Sequence, residues 1–376
     1  MAARPKILAL SGGADDGAFG AGLLVGWTGR GDRPEFDVVT GVSAGALIAP
    51  IAFLGSERDA VLADAFTNFD LDSIAAPRGV LGLLDNSLYD TSPLRKLIAE
   101  IIDEEIVDDI AEAHLEGRRL FVVTTDLDRE AAIVWNMGAI AALDDPNRIA
   151  LFHDVLLASS SVPGLFPPVE IEVKNQEARL TELHLDGGAA IEFLAVPEVF
   201  LRQDVWPHGS PEGAELYVVV NNRLAARPEV VAGRLGGIVQ RSLSTLIRSF
   251  ERQSADRILA FARRTGVAAR VAAIDPKWRV AREDWFDPTY MRAVFAHGRE
   301  LGRTGVGWHK ELRPLVEVSR RSDLLGPVSA KRIGIRLRPR LRRGHELRGS
   351  GDARAAETVC FDRTPTQSAR ASLCSR

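Results

Sequence analysis

Two hydrophobic periods alternate along the first 220 or so positions of this 376-residue chain. Short apolar, β-branched runs at Ile7–Leu10, Val38–Thr40, Leu120–Thr124, Ile133–Trp135, Leu183–Leu185 and Leu216–Val220 predict strands. Between them lie segments of helical spacing, and this alternation predicts a layered α/β domain with a largely parallel sheet. Ser92-Pro93 has the form of an N-cap with proline at the first helical position, followed by Leu94, Leu97, Ile98, Ile101 and Ile102 on one face. From Val231 to Arg264 the pattern predicts a long helical stretch broken once or twice, and another helix runs near Pro288–Leu301. No internal repeat is present, and no compositional shift divides the first 320 residues.

The sharpest local feature follows the second strand, where Gly41-Val42-Ser43-Ala44-Gly45 places a serine between two glycines. A hydroxyl held on a tight strand-to-helix turn needs neighbours without side chains, so this is the form of a nucleophile elbow. The apolar segment Ala46–Leu54 after it predicts a buried helix whose positive N-terminal end faces Ser43. Val38–Ser56 has no charged residue and approaches the length of a membrane span. Thr40, Gly41, Ser43, Gly45 and Pro50 interrupt it, and Asp37 and Glu57 flank it, so no transmembrane segment is expected.

Composition narrows the picture. The chain is 46% hydrophobic, enough for a large core. Its two cysteines, Cys360 and Cys374, lie near the C-terminus, so the body offers no disulfide or thiolate metal site, and neither metal nor cofactor is expected. Met1–Pro5 runs directly into the first strand with no room for a signal peptide, so the chain as written is expected in the cytoplasm. Residues 331–376 hold 12 Lys and Arg against 4 Asp and Glu, and the remainder 35 against 47. The acidic body argues against nucleic acid as a main partner. The arginine-rich tail reads as disordered, with peripheral contact to a membrane surface left open.

Ser11–Gly22 is glycine-rich, follows the first strand and leads into a helix, so its N–H groups can face an anion. It matches no nucleotide-binding spacing, and Asp15 and Asp16 sit where a phosphate would want positive charge; an oxyanion hole beside Ser43 fits better. Asp186-Gly187-Gly188, at the end of Leu183–Leu185, offers a carboxylate that can take the serine proton without a histidine. His208, His297, His309 and His345 follow Asp186, so a Ser-Asp-His order stays formally open, but none lies in a motif-like setting.

The glycine-rich loop, Gly41-Val42-Ser43-Ala44-Gly45 and Asp186-Gly187-Gly188, in this order, resemble the patatin-like phospholipase family, as do Ala158–Pro168 and Thr125-Asp126-Leu127-Asp128 between them. The resemblance covers about residues 6–222, with 223–325 as a helical extension packed on that core and 326–376 as the basic tail. It implies a three-layer α/β/α sandwich and an acyl hydrolase of lipid or carboxylic esters. Ser43 would be the nucleophile, Asp186 the base, and the N–H groups of Gly12, Gly13 and Ala14 the oxyanion hole. Gly41, Gly45, Gly187 and Gly188 would complete the motifs.

One departure stands out. The family's usual G-G-G-x-[RK]-G reads Gly12-Gly13-Ala14-Asp15-Asp16-Gly17 here, losing a glycine and a cation. An alanine at negative φ would preserve the hole. If Asp15 and Asp16 face the reacting carbonyl, they predict a preference for neutral or short-chain esters over anionic phospholipids; if Asp16 instead caps the following helix, they do not. A patatin-fold lipid-binding or regulatory protein with little turnover is the competing reading.

Overall fold

The computed structural model describes residues 4–79, 87–174, 179–196, 201, 213–225, 231, 233–282 and 284–312. The basic tail, His208, His345, Cys360 and Cys374 lie outside the described residues. Eight strands form one sheet: β1 (Lys6–Leu10), β2 (Val38–Val42), β3 (Arg119–Asp126), β4 (Ala131–Asn136), β5 (Val169–Lys174), β6 (Arg179–Asp186), β7 (Glu215–Val220) and β8 (Ala268–Ala273). Their order is β8-β7-β1-β2-β3-β6-β5, with β4 paired to β3. The run from β8 to β3 is parallel, and β4, β5 and β6 add antiparallel pairs at one side. The fold is α/β with a mostly parallel central sheet.

All six expected strands are present in this sheet, and among the described residues it holds two more that the pattern hid. Val169–Lys174 alternates apolar residues with Glu170 and Glu172 after Pro167-Pro168, too polar and too close to proline to stand out. Ala268–Ala273 is alanine-rich, a composition that favours helix, and becomes a strand only by pairing with β7. The sheet therefore continues past residue 222.

Helices α1 (Ala18–Arg30), α2 (Ala44–Leu54), α3 (Asp59–Thr67), α4 (Ser92–Ile101), α5 (Glu104–Leu115), α6 (Arg148–Ser159), α7 (Leu235–Thr265) and α8 (Pro288–Thr304) accompany the sheet. Leu8, Leu10, Tyr217 and Val219 join a core with α1, α2 and α8, while Ala9, Leu216, Val218 and Val220 join a second core with α7. Alternate residues of β1 and β7 thus bury opposite faces, which places helices on both sides. Helix α4 starts one residue earlier than its Ser-Pro signal suggested: Ser92 is already helical, Thr91 is the cap, and the Asp90 carboxylate accepts the Ser92 N–H at 2.8 Å. Helix α7 is unbroken, since no proline occurs between Leu235 and Thr265. Among the described residues no helix is long and apolar enough to cross a membrane.

Helices α1 and α8 cross with their backbones nearly touching. A Cβ on Gly22 or Gly26 would lie 2.1 or 2.0 Å from the carbonyl oxygens of Phe295 and Arg299, and Gly298 and Gly302 face α1 equally closely. Small residues one turn apart on both helices permit this approach. It ties the glycine-rich loop, which leads into α1, to the chain's C-terminal elements.

Candidate active site

Ser43 sits between β2 and α2 with φ 54° and ψ −125°, in the left-handed region that costs a non-glycine residue about 1–3 kcal/mol. The glycines around it make the bend possible. A Cβ at Gly41 would lie 2.4 Å from the Gly45 carbonyl oxygen, and one at Gly45 would lie 2.4 Å from that of Leu10. The positive end of α2 therefore meets Ser43 at the C-terminal edge of the sheet, beside the loop that follows β1. Gly12 lies against the serine, with its absent Cβ only 3.0 Å from the Ser43 Cβ.

The Ser43 hydroxyl lies near enough to the Asp186 carboxylate to lower its pKa. Asp186 closes β6, is buried, and accepts the Gly188 N–H at 2.8 Å. Burial raises its pKa to about 6, against the Ser43 hydroxyl and the Gly188 N–H, which lower it. A buried turn fixes both partners. Ser159 accepts the Ser43 N–H at 3.0 Å and donates to the Val123 carbonyl at 2.7 Å, and the Ser161 carbonyl accepts the Asp186 N–H at 3.0 Å. Gly187 packs against Val123, where a side chain would clash at 2.4 Å.

The loop before Ser43 is anchored by Asn221, fully buried just after β7. Its N–H donates to the Ser11 hydroxyl (2.9 Å), its amide to the Ser11 carbonyl (2.8 Å), and its Oδ1 accepts the Gly20 N–H (2.9 Å). Gly13 presses against the same residue, its absent Cβ 2.1 Å from the Asn221 carbonyl oxygen. Ala14 has φ 49°, so the negative φ expected for an alanine there is not what the chain adopts. The left-handed conformation costs about 1–2 kcal/mol in an alanine, and its surroundings must hold it.

Asp15 and Asp16 provide that hold. Asp15 is buried and takes both its oxygens to Arg282, at 2.9 and 3.1 Å, with the Phe286 N–H at 3.4 Å. Asp16 accepts the Tyr290 hydroxyl at 2.5 Å and lies 3.7 Å from Arg223. Neither carboxylate lines the pocket at Ser43, and no side chain caps the turn or the helix that follows. Both readings of Asp16 as a selectivity element and as a helix cap are thereby corrected: the pair tethers the loop to α8 and the segment before it. Tyr290→Phe removes the hydroxyl and leaves a buried acceptor oxygen without it. It is expected to cost about 1–3 kcal/mol in urea unfolding, with no change in the ratio of neutral to anionic ester hydrolysis.

An apolar pocket opens at Ser43 and runs between α2, α3 and α4. Leu47, Leu62, Phe66, Leu97, Ile98 and Met291 line it, and Ala14, Ser43 and Ser160 stand among its lining. Among the described residues no histidine lines it. His297 stacks on Trp278 with centroids 4.9 Å apart, His309 pairs through its backbone with Val271, and His184 bonds Thr124 and Glu182. Among the described residues no group of three or more His, Cys, Asp or Glu could hold a metal.

A second carboxyl stands near Asp186. Burial first, and the Asp186 charge second, push Glu192 up to about 8, so it is protonated at neutral pH and adds no negative charge beside Asp186. The sequence pattern pointed to Ser43, Asp186 and the two glycine-rich turns but not to Ser159, Asn221, Glu192, Arg282 or Tyr290. A polar residue directly after the apolar run Val218-Val219-Val220 was the available signal for Asn221.

The family described as "Patatin-like phospholipase" matches residues 8–196. No curated protein matches the chain. Among solved structures, it is similar to VipD from Legionella pneumophila, at 12% identity and a TM-score of 0.42, covering 81% of this chain and 67% of that one. It is also similar to the type III effector protein ExoU, at 15% identity and a TM-score of 0.25, covering 80% of this chain. The chain spans about half of that protein's length, 52%.

Proposed function

This chain belongs to the patatin-like phospholipase family, and we propose that it is a serine acyl hydrolase that cleaves long-chain esters with a Ser43–Asp186 dyad. The observation that carries the reading is the strained Ser43, in the lining of an apolar pocket, with its hydroxyl close enough to the buried Asp186 carboxylate to lower that group's pKa. The Ser43 oxygen attacks the ester carbonyl as its proton passes to Asp186. The oxygen of the tetrahedral intermediate becomes negative and is received by the N–H groups of Gly12, Gly13 and Ala14 and by the positive end of α2. Collapse breaks the ester C–O bond, the leaving alcohol takes the proton from Asp186, and the acyl group stays on Ser43. Water then attacks the acyl-serine while Asp186 takes its proton, and the second collapse returns that proton to Ser43 with release of the acid. With a pKa of about 6, Asp186 is ionised at neutral pH yet basic enough to act.

The pocket sets the substrate class. Its lining takes an acyl chain, and because Asp15 and Asp16 are tied to Arg282 and Tyr290, the charge-based preference for short or neutral esters has no physical basis here. Each methylene buried is worth about 0.8 kcal/mol, so kcat/KM for p-nitrophenyl esters is expected to rise by up to about fourfold per carbon until the pocket is filled. Hydrolysis confined to the acetate ester, or absent throughout the series, would overturn this reading and favour a lipid-binding protein with little turnover.

A further inference from the structure

Helix α7 is 31 residues long, and only half of it belongs to the core. From Glu251 onward Ala255, Ile258, Leu259, Phe261 and Ala262 are buried against the sheet. With only two residues between, β8 follows α7 and lies parallel to β7, so the helix runs antiparallel to them, with its C-terminus at their starting edge. Residues 251–265 rise about 22 Å, matching six-residue strands of about 20 Å. Glu251 accordingly meets Asn222, just past the end of β7, and Arg248 lies within electrostatic reach of Asp16. The preceding residues, 235–250, therefore extend about 24 Å beyond the sheet's C-terminal edge, the edge that carries Ser43.

This projecting half is apolar where it is most exposed. Leu235 is 78% exposed and Phe250 54%, and Ile238, Leu243, Leu246 and Ile247 are exposed as well. At 100° per residue they fall within an arc of about 180°. Arg234, Arg241 and Arg248, spaced seven apart, share the opposite face, and no Asp or Glu occurs from Val231 to Phe250. The body of the chain is acidic, so this helix half is a local basic exception. An apolar face of Leu, Ile and Phe with arginines on the polar face is the pattern of a helix that lies in a lipid interface.

We propose that residues 235–250 of α7 dock the protein on an anionic phospholipid surface and so bring the mouth of the Ser43 pocket to the membrane. The apolar arc enters the boundary between headgroups and acyl chains, and the net positive charge of this acid-free stretch, with Arg234 exposed at its start, adds attraction to anionic headgroups within a Debye length. The inference rests on the proposed function only in what docking is for; docking itself needs no turnover.

The test separates the two. Full-length Ser43→Ala protein is sedimented with vesicles of phosphatidylcholine alone or with phosphatidylglycerol, beside the same protein carrying Leu243→Glu and Phe250→Glu. Expected are binding that strengthens with phosphatidylglycerol and falls by about tenfold or more in the double variant. A Phe250→Trp protein should show a blue-shifted emission on adding vesicles. With Ser43 intact, the double variant should hydrolyse a soluble ester at the parental rate, which reports folding and catalysis apart from docking. Absence of vesicle binding, equal binding by the double variant, or an unshifted emission from the Phe250→Trp protein overturns the proposal. A dimer that the double variant converts to monomer, without vesicle binding by the parent, assigns the face to a second copy and overturns it too.

Discussion

Ser43→Ala is expected to lower ester hydrolysis by on the order of 10⁴–10⁶ and to abolish stoichiometric labelling by a fluorophosphonate, while the circular dichroism spectrum is unchanged. On the proposed mechanism the magnitude follows from removing the atom that would form the acyl bond: what would be left is the oxyanion site and the pocket, without an attacking group. Ser43 should be the sole serine labelled, because Ser159, Ser160 and Ser161 donate their hydroxyls to the carbonyls of Val123, Leu156 and Leu157. Ser43→Gly separates catalysis from strain. Glycine accepts φ 54° without cost, so this variant should be as inactive as the alanine one yet about 1 kcal/mol more stable. Residual activity near the parental level in a clean Ser43→Ala preparation would remove the serine mechanism.

How much of this site could be read before folding follows from the range of each interaction. The elbow was legible because its requirements are local: an apolar run, two glycines that make room within four residues, and an apolar helix. Asp186 was legible for the same reason, as an acid at a strand end followed by Gly187-Gly188. The loop chemistry was not. Whether Asp15 and Asp16 face the pocket depends on Arg282 and Tyr290, more than 260 positions away, and on a crossing of α1 over α8 that brings those partners in. Asn221 acts on Ser11 across 210 positions. No local pattern encodes such pairs. The alanine strand β8 failed for a related reason: its propensity favours helix, and only the exposed edge of β7 makes it a strand. Where the chain departs from its family's loop motif, the departure is compensated within the fold. The left-handed Ala14 and the two acids form one unit with an arginine and a tyrosine supplied from the C-terminal part.

Asp186→Asn is expected to cost at least about 10³ in kcat and, at the same time, to make the protein more stable at neutral pH. Both effects come from one property of the site. Burial raises the carboxyl from its ordinary 3.8 to about 6, so between these values the folded state keeps a proton that the unfolded chain has released. Stability falls with pH wherever the folded state binds more protons, so this group lowers stability progressively from pH 3.8 to about 6, and the loss is complete at about pH 7. A difference of about two pKa units corresponds to up to about 3 kcal/mol, reduced by whatever the amide loses as an acceptor for Ser43 and Gly188. The melting temperature of Asp186→Asn should therefore exceed the parent's at about pH 7, and the gap should close below about pH 4, where the parent carboxyl is protonated in both states. Hydrolysis by the parent should rise with pH through an apparent pKa of about 6, since only the ionised carboxylate can take the Ser43 proton. A melting gap that persists unchanged at low pH would place the stabilisation elsewhere than in the buried charge. Parental activity in Asp186→Asn would show that another group takes the serine proton.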